Sequence, residues 1–312
     1  IIDKEIDLLI ENRVAAIQNE LNTSLSSLEF LKYLFEENTD LSRQDFLNYA
    51  SPILKGASGI KALSWVPKVK IEDREKYESN LQHELNSNIT IWTRNRQNER
   101  FVATSRPVYF PITYIEPIVK NSDALGYDLY SSGSRKATIN RAIEKKELLI
   151  TSRIKLVQDT IGYSFMGILP VYHTSKGGKE MVENIDTLFG LLTGSFKIDD
   201  LIIPANRLSS EYEFDIVVFD VTNKVKELIN GDENLLKSDI IVHKRELPVA
   251  GRMWEISFIV DAKFYKVKDA FIYLLVGISV SLFLFILFLI PFIKEERSRR
   301  LSLKLNKEKQ VR

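Results

Sequence analysis

The chain has 312 residues, with 43 Lys and Arg against 42 Asp and Glu, so its formal net charge is +1. A balanced charge gives no reason to expect nucleic acid or another polyanion as a partner. The chain has no cysteine, which excludes thiol catalysis and is compatible with an exported domain that needs no oxidative folding.

The first predicted element is a long amphipathic helix. Apolar residues recur at spacings of three or four from Ile2 to Phe35, and neither Pro nor Gly interrupts them, which predicts about nine helical turns and roughly 50 Å. We expect its N-terminal half to pair with a second copy and its C-terminal half to pack on the following domain; the alternative is that the whole helix lies on its own chain. Residues 38–40 should end it, and Ser42 with Asp45 three residues later predicts the start of a second helix.

From residue 60 the pattern changes to short β-rich runs with helical stretches between them. The predicted strands lie within residues 60–66, 101–115, 148–157, 163–172 and 188–196, and the helices near 73–85 and 134–145. Residues 176–179 predict an exposed turn, and a second β group follows within residues 214–221, 239–244 and 253–260. Because strands and helices do not alternate strictly, the class is α+β, with mostly antiparallel sheets.

Residues 270–293 contain 24 residues without a charge. As a helix this segment is roughly 36 Å long, which is enough to cross a hydrocarbon core of about 30 Å. Residues 294–312 carry eight basic and three acidic side chains, whereas 261–269 carry three Lys and two Asp. Lys and Arg are retained on the cytoplasmic side. We therefore predict a span in the cell (inner) membrane, with residues 1–269 extracytoplasmic or periplasmic and 294–312 cytoplasmic.

Two further features concern the segment before the span and the start of the chain. Residues 263–269 contain no Pro or Gly, so we predict a stiff connection between the last strand and the span. The chain begins with Ile1, and no signal-peptide pattern precedes the folded part. Since an exported domain must be led across the membrane, we expect an upstream signal or a first span, and a longer parent protein.

Motifs for catalysis are missing from the sequence. His83, His173 and His243 stand far apart, Gly162–Gly167 misses the nucleophile-elbow pattern by one residue, and residues 176–179 lack the phosphate-loop pattern. We predict no catalytic residue, metal or cofactor, and no enzyme activity in this segment. Arginines around Trp92 and Phe101 are interpreted as a solvated face, not as a nucleic-acid site. Two alternatives stay open: a membrane-tethered extracytoplasmic hydrolase, and a constitutive dimerisation scaffold without a ligand.

Seven segments between about residues 45 and 260 occur in a characteristic order: GIKALSWVP (59–67), RPVYFPITYIEP (106–117), GYDL (126–129), RA (141–142), TSRIKLVQ (151–158), GILPVY (167–172) and VAGRMW (249–254). Together they resemble the CHASE domain, the extracytoplasmic sensor of bacterial and plant transmembrane receptors, including the plant cytokinin receptors.

The resemblance implies a particular domain order. It comprises a stalk helix (1–37), a membrane-distal PAS-like sensor module (38–200), a membrane-proximal PAS-like module (201–262), a connector and transmembrane helix (263–293), and the start of a cytoplasmic signalling helix (294–312). It also implies a parallel homodimer that binds a small molecule outside. The signal would pass to a cytoplasmic histidine kinase or diguanylate cyclase, which nothing in the sequence distinguishes.

The resemblance also implies a ligand site in the distal module. In cytokinin receptors an aspartate there binds the adenine ring, and the matching position is Asp128. The residues that the resemblance and their aromatic character together point to are Asp128, Thr151, Arg106, Tyr109, Tyr114, Trp65, Phe165 and Leu169. Asn140 and Lys155 depart from the plant pattern, so an adenine-like ligand and an organic acid both remain open.

The same residues have plainer interpretations. Asp128 could cap the helix that begins near Ser134, or pair with Arg135 or Arg141. Aromatic residues on strands are often simply part of the core.

Overall fold

The computed structural model describes residues 2–37, 41–57, 59–95, 97–156, 159–172, 188–207, 214–237, 241–260 and 262–310. The helices are α1 (Ile2–Glu37), α2 (Arg43–Gly56), α3 (Arg74–Leu85), α4 (Ile118–Asn121), α5 (Gly133–Lys145), α6 (Ile198–Arg207) and α7 (Ala262–Gln310). The strands are β1 (Ile60–Pro67), β2 (Val69–Lys70), β3 (Trp92–Arg94), β4 (Arg100–Val102), β5 (Val108–Tyr109), β6 (Tyr114–Glu116), β7 (Leu149–Ile150), β8 (Ile154–Leu156), β9 (Asp159–Tyr172), β10 (Leu188–Lys197), β11 (Asp215–Asp220), β12 (Glu227–Asn230), β13 (Ile241–Val249) and β14 (Arg252–Val260). The predicted break at 38–40 and the predicted turn at 176–179 lie outside the described residues.

Two antiparallel sheets organise the described part of residues 60–260. The first sheet has the order β6-β1-β10-β9-β7, with β8 paired to β9, and the second has the order β12-β11-β14-β13. The predicted α+β class, with a long N-terminal helix and antiparallel sheets, is confirmed. The predicted start of α2 is confirmed as well, because Ser42 and Asp45 form a capping box.

One face of the first sheet packs against α1. Trp65 lies opposite Leu192, which lies opposite Leu169, so these three side chains share this face. Trp65 stacks on Phe35 of α1 with 4.2 Å between ring centroids. Gly167 opposes Gly194 in the same region, and a Cβ on Gly167 would lie 2.9 Å from Leu28 Cδ1. The missing side chain at Gly167 therefore lets α1 approach the sheet closely.

The opposite face of the first sheet forms a second apolar layer. Met166 and Ile168 of β9 pack there with Ile139 and Ala142 of α5, and Leu129 belongs to the same buried cluster. Because successive strand residues alternate between faces, the sheet is covered on both sides, by α1 on one and by α5 with the 125–129 segment on the other.

Most of the apolar stripe of α1 is buried within this chain, and Val14 is half-buried. Its buried members are Ile6, Ile10, Ile17, Leu21, Leu25, Leu28, Leu31 and Phe35. At the N-terminal half, Arg245 of β13 pairs with Asp7 at 2.9 Å and with Glu11 at 2.6 Å. The buried stripe of this half is therefore used within the chain, and pairing of the N-terminal half with a second copy stays a prediction.

The expected strand within residues 101–115 is instead divided among β4, β5 and β6. Pro107 and Pro111 lie in this stretch and have no backbone N–H, so a continuous ladder cannot form across them. Helix α6 and strand β12 were not predicted, because α6 contains Pro204, a residue that rarely continues a helix, and β12 has only four residues.

Helix α7 contains a candidate membrane span. Residues Phe271–Leu303 form 33 helical residues with a mean hydropathy of 2.8 in the most apolar stretch, and none of that stretch is buried. The segment includes the predicted residues 271–293 and continues to Leu303. Its length and apolar composition fit a bilayer crossing.

We expect truncation of Leu28 to destabilise the fold far more than truncation of Leu8 on the same helix. Leu28 is fully buried against the first sheet, whereas Leu8 is 62% exposed. Leu28→Ala should lower the free energy of unfolding by about 2–5 kcal/mol, because it leaves a cavity, and Leu8→Ala should change it by less than about 0.5 kcal/mol. Urea unfolding followed by tryptophan fluorescence checks this, and equal effects would contradict the packing of α1 described above.

Candidate functional site

Asp128 lies at the centre of a polar network and has no exposed surface. Its Oδ1 accepts hydrogen bonds from the backbone N–H of Phe110 at 2.9 Å and of Tyr130 at 3.1 Å. Its Oδ2 accepts from Arg106 Nη1 at 3.2 Å. The carboxylate thus caps the 3-10 turn Leu129–Ser131, and its ion-pair partner is Arg106. Asp128 therefore caps a turn and pairs with an arginine, as the plainer interpretation proposed. The capped turn is Leu129–Ser131 and not the helix near Ser134, and the arginine is Arg106 and not Arg135 or Arg141.

Burial raises the pKa of the Asp128 carboxyl above its ordinary value of 3.8. The two backbone N–H donors and the positive charges of Arg106 and Arg74 act in the opposite direction and do not fully offset the loss of solvation. The ionised carboxylate is therefore costly to bury, and its hydrogen bonds hold the surrounding loops in place.

A second group of polar contacts, centred on the hydroxyl of Tyr109, supports Arg106. The hydroxyl of buried Tyr109 accepts from the backbone N–H of Arg106 at 2.9 Å and from Arg74 Nη1 at 3.2 Å, and it donates to Thr104 O at 3.1 Å. Arg74 also pairs with Glu78 at 2.9 Å. These bonds fix the backbone at Thr104 and at the N–H of Arg106, whose side chain remains 27% exposed.

Cations and aromatic rings alternate around the Asp128 segment. Arg106 lies over Tyr109, Arg135 over Tyr127 and Lys136 over Tyr130, at 5.9, 5.7 and 4.6 Å from the ring centroids. Arg100 lies over Trp92 at 4.3 Å. Tyr127 and Tyr130 are half-buried, so this surface combines positive charge with partly accessible rings. Such a combination suits a small anionic molecule.

The structure separates three predicted site residues from Asp128. Trp65, Phe165 and Leu169 are buried on the face of the first sheet that packs against α1. Phe165 stacks on Phe196 at 5.1 Å and meets Trp254 of the second sheet at 5.6 Å. These three side chains are core residues of the α1 interface.

The two other predicted site residues lie at the end of β7 (Thr151) and beside α2 (Tyr114). Thr151 Oγ1 accepts from Met166 N at 3.1 Å, and Thr151 N donates to Met166 O at 2.9 Å, so this residue ties the end of β7 to β9. Tyr114 donates to Leu41 O at 3.3 Å and lines a cavity of about 370 Å³ beside α2. Of the predicted residues, the described contacts bring together Asp128, Arg106 and Tyr109.

Several residues of this network were missed by the sequence analysis. Arg74 and Glu78 stand at i and i+4 on α3, a spacing typical of a helical ion pair, but nothing local indicated that Arg74 reaches Tyr109. Tyr127, Tyr130 and Arg135 were signalled only by their closeness to Asp128 in the sequence.

A family model of the CHASE domain matches residues 39–229, which is more than half of the chain. Among proteins of known function, a germination-specific adenylate cyclase of Dictyostelium discoideum is 23% identical over 297 residues, covering 91% of this chain and 34% of the cyclase. Hybrid signal transduction histidine kinase A of the same organism is 22% identical over 283 residues, covering 81% of this chain and 13% of the kinase.

Two solved structures with similar folds come from Pseudomonas aeruginosa PAO1. The ligand binding domain of the amino acid chemoreceptor PctC in complex with GABA has a TM-score of 0.46 and 15% identity, covering 83% of this chain and 100% of that chain. The corresponding domain of PctB in complex with L-Arg has a TM-score of 0.47 and 13% identity, covering 85% of this chain and 97% of that chain.

Removal of the Asp128 carboxylate should destabilise the fold strongly. Asp128→Ala leaves two backbone N–H groups and Arg106 without their acceptor, so we expect a loss of about 2–4 kcal/mol of unfolding free energy. Asp128→Asn keeps an acceptor for both N–H groups and should cost less than half as much. Asp123→Ala, at an exposed aspartate nearby, is the control. Chemical denaturation measures all three, and equal stability of the Ala and Asn variants would contradict the cap.

The raised pKa of Asp128 predicts a pH dependence with a definite sign. The folded state binds this proton more tightly than the unfolded chain, so the contribution is complete below pH 3.8 and is lost as pH rises through the folded pKa. The unfolding free energy of the wild type, measured relative to Asp128→Asn, should therefore fall as the pH rises from below 3.8 through the folded pKa. Urea titrations across that range check it. A relative stability that rises with pH would mean that Arg106 outweighs burial.

Proposed function

The chain belongs to the CHASE domain family of extracellular sensor domains, and we propose from this premise that it is the sensing part of a transmembrane receptor for a small organic acid. The ligand binds beside the Asp128 segment and shifts the domain between two states. The signal then passes through α7 to a cytoplasmic output enzyme.

The observation that carries this proposal is the ion pair between Asp128 and Arg106, which fixes an arginine side chain that stays partly exposed. A fully buried carboxylate holds one nitrogen of a guanidinium that is 27% exposed, and Tyr109 fixes the backbone of the same arginine. An arginine fixed in this way offers its remaining N–H groups to a carboxylate in a bidentate fashion. Arg135 and Lys136 add positive charge at neighbouring rings. Both oxygens of Asp128 already have donors, which favours an organic acid over an adenine-like ligand.

Membrane topology is part of the proposal. The uncharged part of the candidate span, residues 271–293, is followed by the basic residues of 294–312, which favours residues 1–269 outside and the C-terminal part inside. The chain is then anchored in the lipid bilayer, and the surface around Arg106 is exposed to extracytoplasmic solutes.

The route from the site to the membrane runs through the turn between β13 and β14. Ile150 N donates to Ala250 O at 3.0 Å, and the adjacent Thr151 is bonded to β9. Strand β14 leads from this turn to Val260, and α7 begins at Ala262. A change at the end of β7 can therefore be carried along the main chain toward α7.

We include a parallel homodimer and an output enzyme in the proposal. Since the buried stripe of α1 is used within the chain, a dimer through α1 would use the opposite side, where Leu8, Phe30 and Tyr33 are exposed.

The relatives are an adenylate cyclase and a histidine kinase, of which this chain covers 34% and 13%. Their names support a kinase or a nucleotide cyclase as the output.

The test is a thermal-shift screen of the full chain in lipid nanodiscs against organic acids, amino acids and adenines. At least one carboxylate ligand should stabilise the wild type, by about 2.7 kcal/mol at 100 times its Kd. Arg106→Gln should abolish the shift and Arg106→Lys should weaken it, because Lys cannot bind a carboxylate in bidentate fashion. Lys55→Gln, at an exposed lysine of α2, should respond like the wild type.

Three outcomes would contradict the proposal. Stabilisation by adenines alone would overturn the assignment of an organic acid. Equal stabilisation of Arg106→Gln and wild type would remove Arg106 from the site. An absence of any shift across the panel would favour a scaffold without a ligand.

A further inference from the structure

Two asparagines of the chain stand in the pattern Asn-X-Ser/Thr, which is the acceptor pattern for N-linked glycosylation. They are Asn88, in the run NIT (88–90), and Asn22, in the run NTS (22–24). Because this short pattern often occurs by chance, the surroundings of each asparagine in the folded chain decide which of them is a candidate. Neither belongs to the polar network around Arg106.

Asn88 is exposed in the loop between α3 and β3. The backbone on both sides of it is fixed, because Ser87 N donates to Gln82 O at 3.2 Å and Gln82 Nε2 donates to Ile89 O at 3.0 Å. The Asn88 side chain makes no hydrogen bond within the described residues. A bulky group on its amide nitrogen would therefore extend into solvent without breaking any bond of the fold.

The hydroxyl that completes the pattern belongs to Thr90, which is half-buried in the same loop. Residues 88–90 are neither helical nor part of a strand. Since the pattern needs both the asparagine amide and the hydroxyl two residues later, both groups have to face one enzyme. A chain outside a helix can place side chains two residues apart on the same side, as an extended chain does.

Asn22 lies in a different setting, in the middle of helix α1. Side chains two residues apart on a helix point about 200° away from each other. Asn22 is accordingly exposed, and its Oδ1 accepts from Gln18 Nε2 at 2.9 Å, whereas Ser24 is 2% exposed and its hydroxyl is buried. A helix forms in about a microsecond and a chain is synthesised at about 5–20 residues per second, so α1 can form and separate the two groups before any sugar is transferred.

We propose that Asn88 carries an N-linked glycan. This inference rests on the proposed topology, in which residues 1–269 are extracytoplasmic. The two relatives named above come from Dictyostelium discoideum, a eukaryote, and eukaryotic extracytoplasmic domains pass through the endoplasmic reticulum, where the sugar is transferred. Asn88 Nδ2 forms a bond to C1 of an oligosaccharide carried on a lipid diphosphate. The bond from C1 to the diphosphate oxygen breaks, the amide releases one proton, and the lipid diphosphate is the leaving group.

The experiment translates the full chain, behind a cleavable signal sequence, in the presence of endoplasmic reticulum microsomes. The wild type should migrate more slowly in a denaturing gel, and peptide N-glycosidase should reverse the shift. Asn88→Gln and Thr90→Val should each abolish the shift, whereas Thr90→Ser should retain it at least in part, because serine keeps the hydroxyl. Asn22→Gln is the matched control and should shift like the wild type. A denaturing gel gives a result even for a variant that folds poorly.

Protease added outside the microsomes separates this inference from the proposed topology. Protection of residues 1–269 without a mobility shift would overturn the glycan and leave the topology standing. Digestion of residues 1–269 would overturn both. A shift that persists in Asn88→Gln and disappears in Asn22→Gln would place the sugar on α1 and contradict the assignment to the loop.

Discussion

The burial of one helix by two sheets is the constraint on which the folded domain depends. Eight apolar side chains of α1 are buried between Ile6 and Phe35, and each contributes about 1.5–3 kcal/mol relative to exposure. The first sheet accommodates the C-terminal half at Gly167, where a Cβ would lie 2.9 Å from Leu28 Cδ1. The second sheet reaches the N-terminal half through Arg245. Without α1, the first sheet would expose an apolar face to water.

Buried ion pairs fix the conformation of loops at the edges of the two sheets. Asp128 binds two backbone N–H groups as well as Arg106, and Asp220 binds Thr222 N and Oγ1 as well as Arg252. Burial of a carboxylate is unfavourable by itself, so neither pair is evidence of extra stability. Each carboxylate instead selects one loop conformation, because any other would leave a buried charge without donors. The position of Arg106 is therefore fixed by the fold before a ligand arrives.

Local patterns predicted much of the fold, whereas long-range packing decided the rest. The periodicity of α1, the capping box at Ser42 and the apolar span within α7 depend on neighbours a few residues apart, and all three were predictable. The partner of Asp128 was not, since Arg106 is 22 residues away and closer arginines were available. Phe165 and Leu169 were assigned to a ligand pocket because alternation in a strand shows that two faces exist but not which element covers each.

The contacts between the two sheets restrict how the second sheet can respond to the first. Ala250 and Gly251 have positive φ angles of 38° and 82°, and a Cβ on Gly251 would lie 2.5 Å from Leu149 Cδ2. The turn is thus pressed against β7 and bonded to it through Ile150 N. Arg153 reaches Leu228 O at 2.6 Å from the same side of the first sheet. Because the bond from Ile150 N to Ala250 O joins main chain to main chain, side-chain rotation alone cannot absorb a shift of β7 relative to this turn.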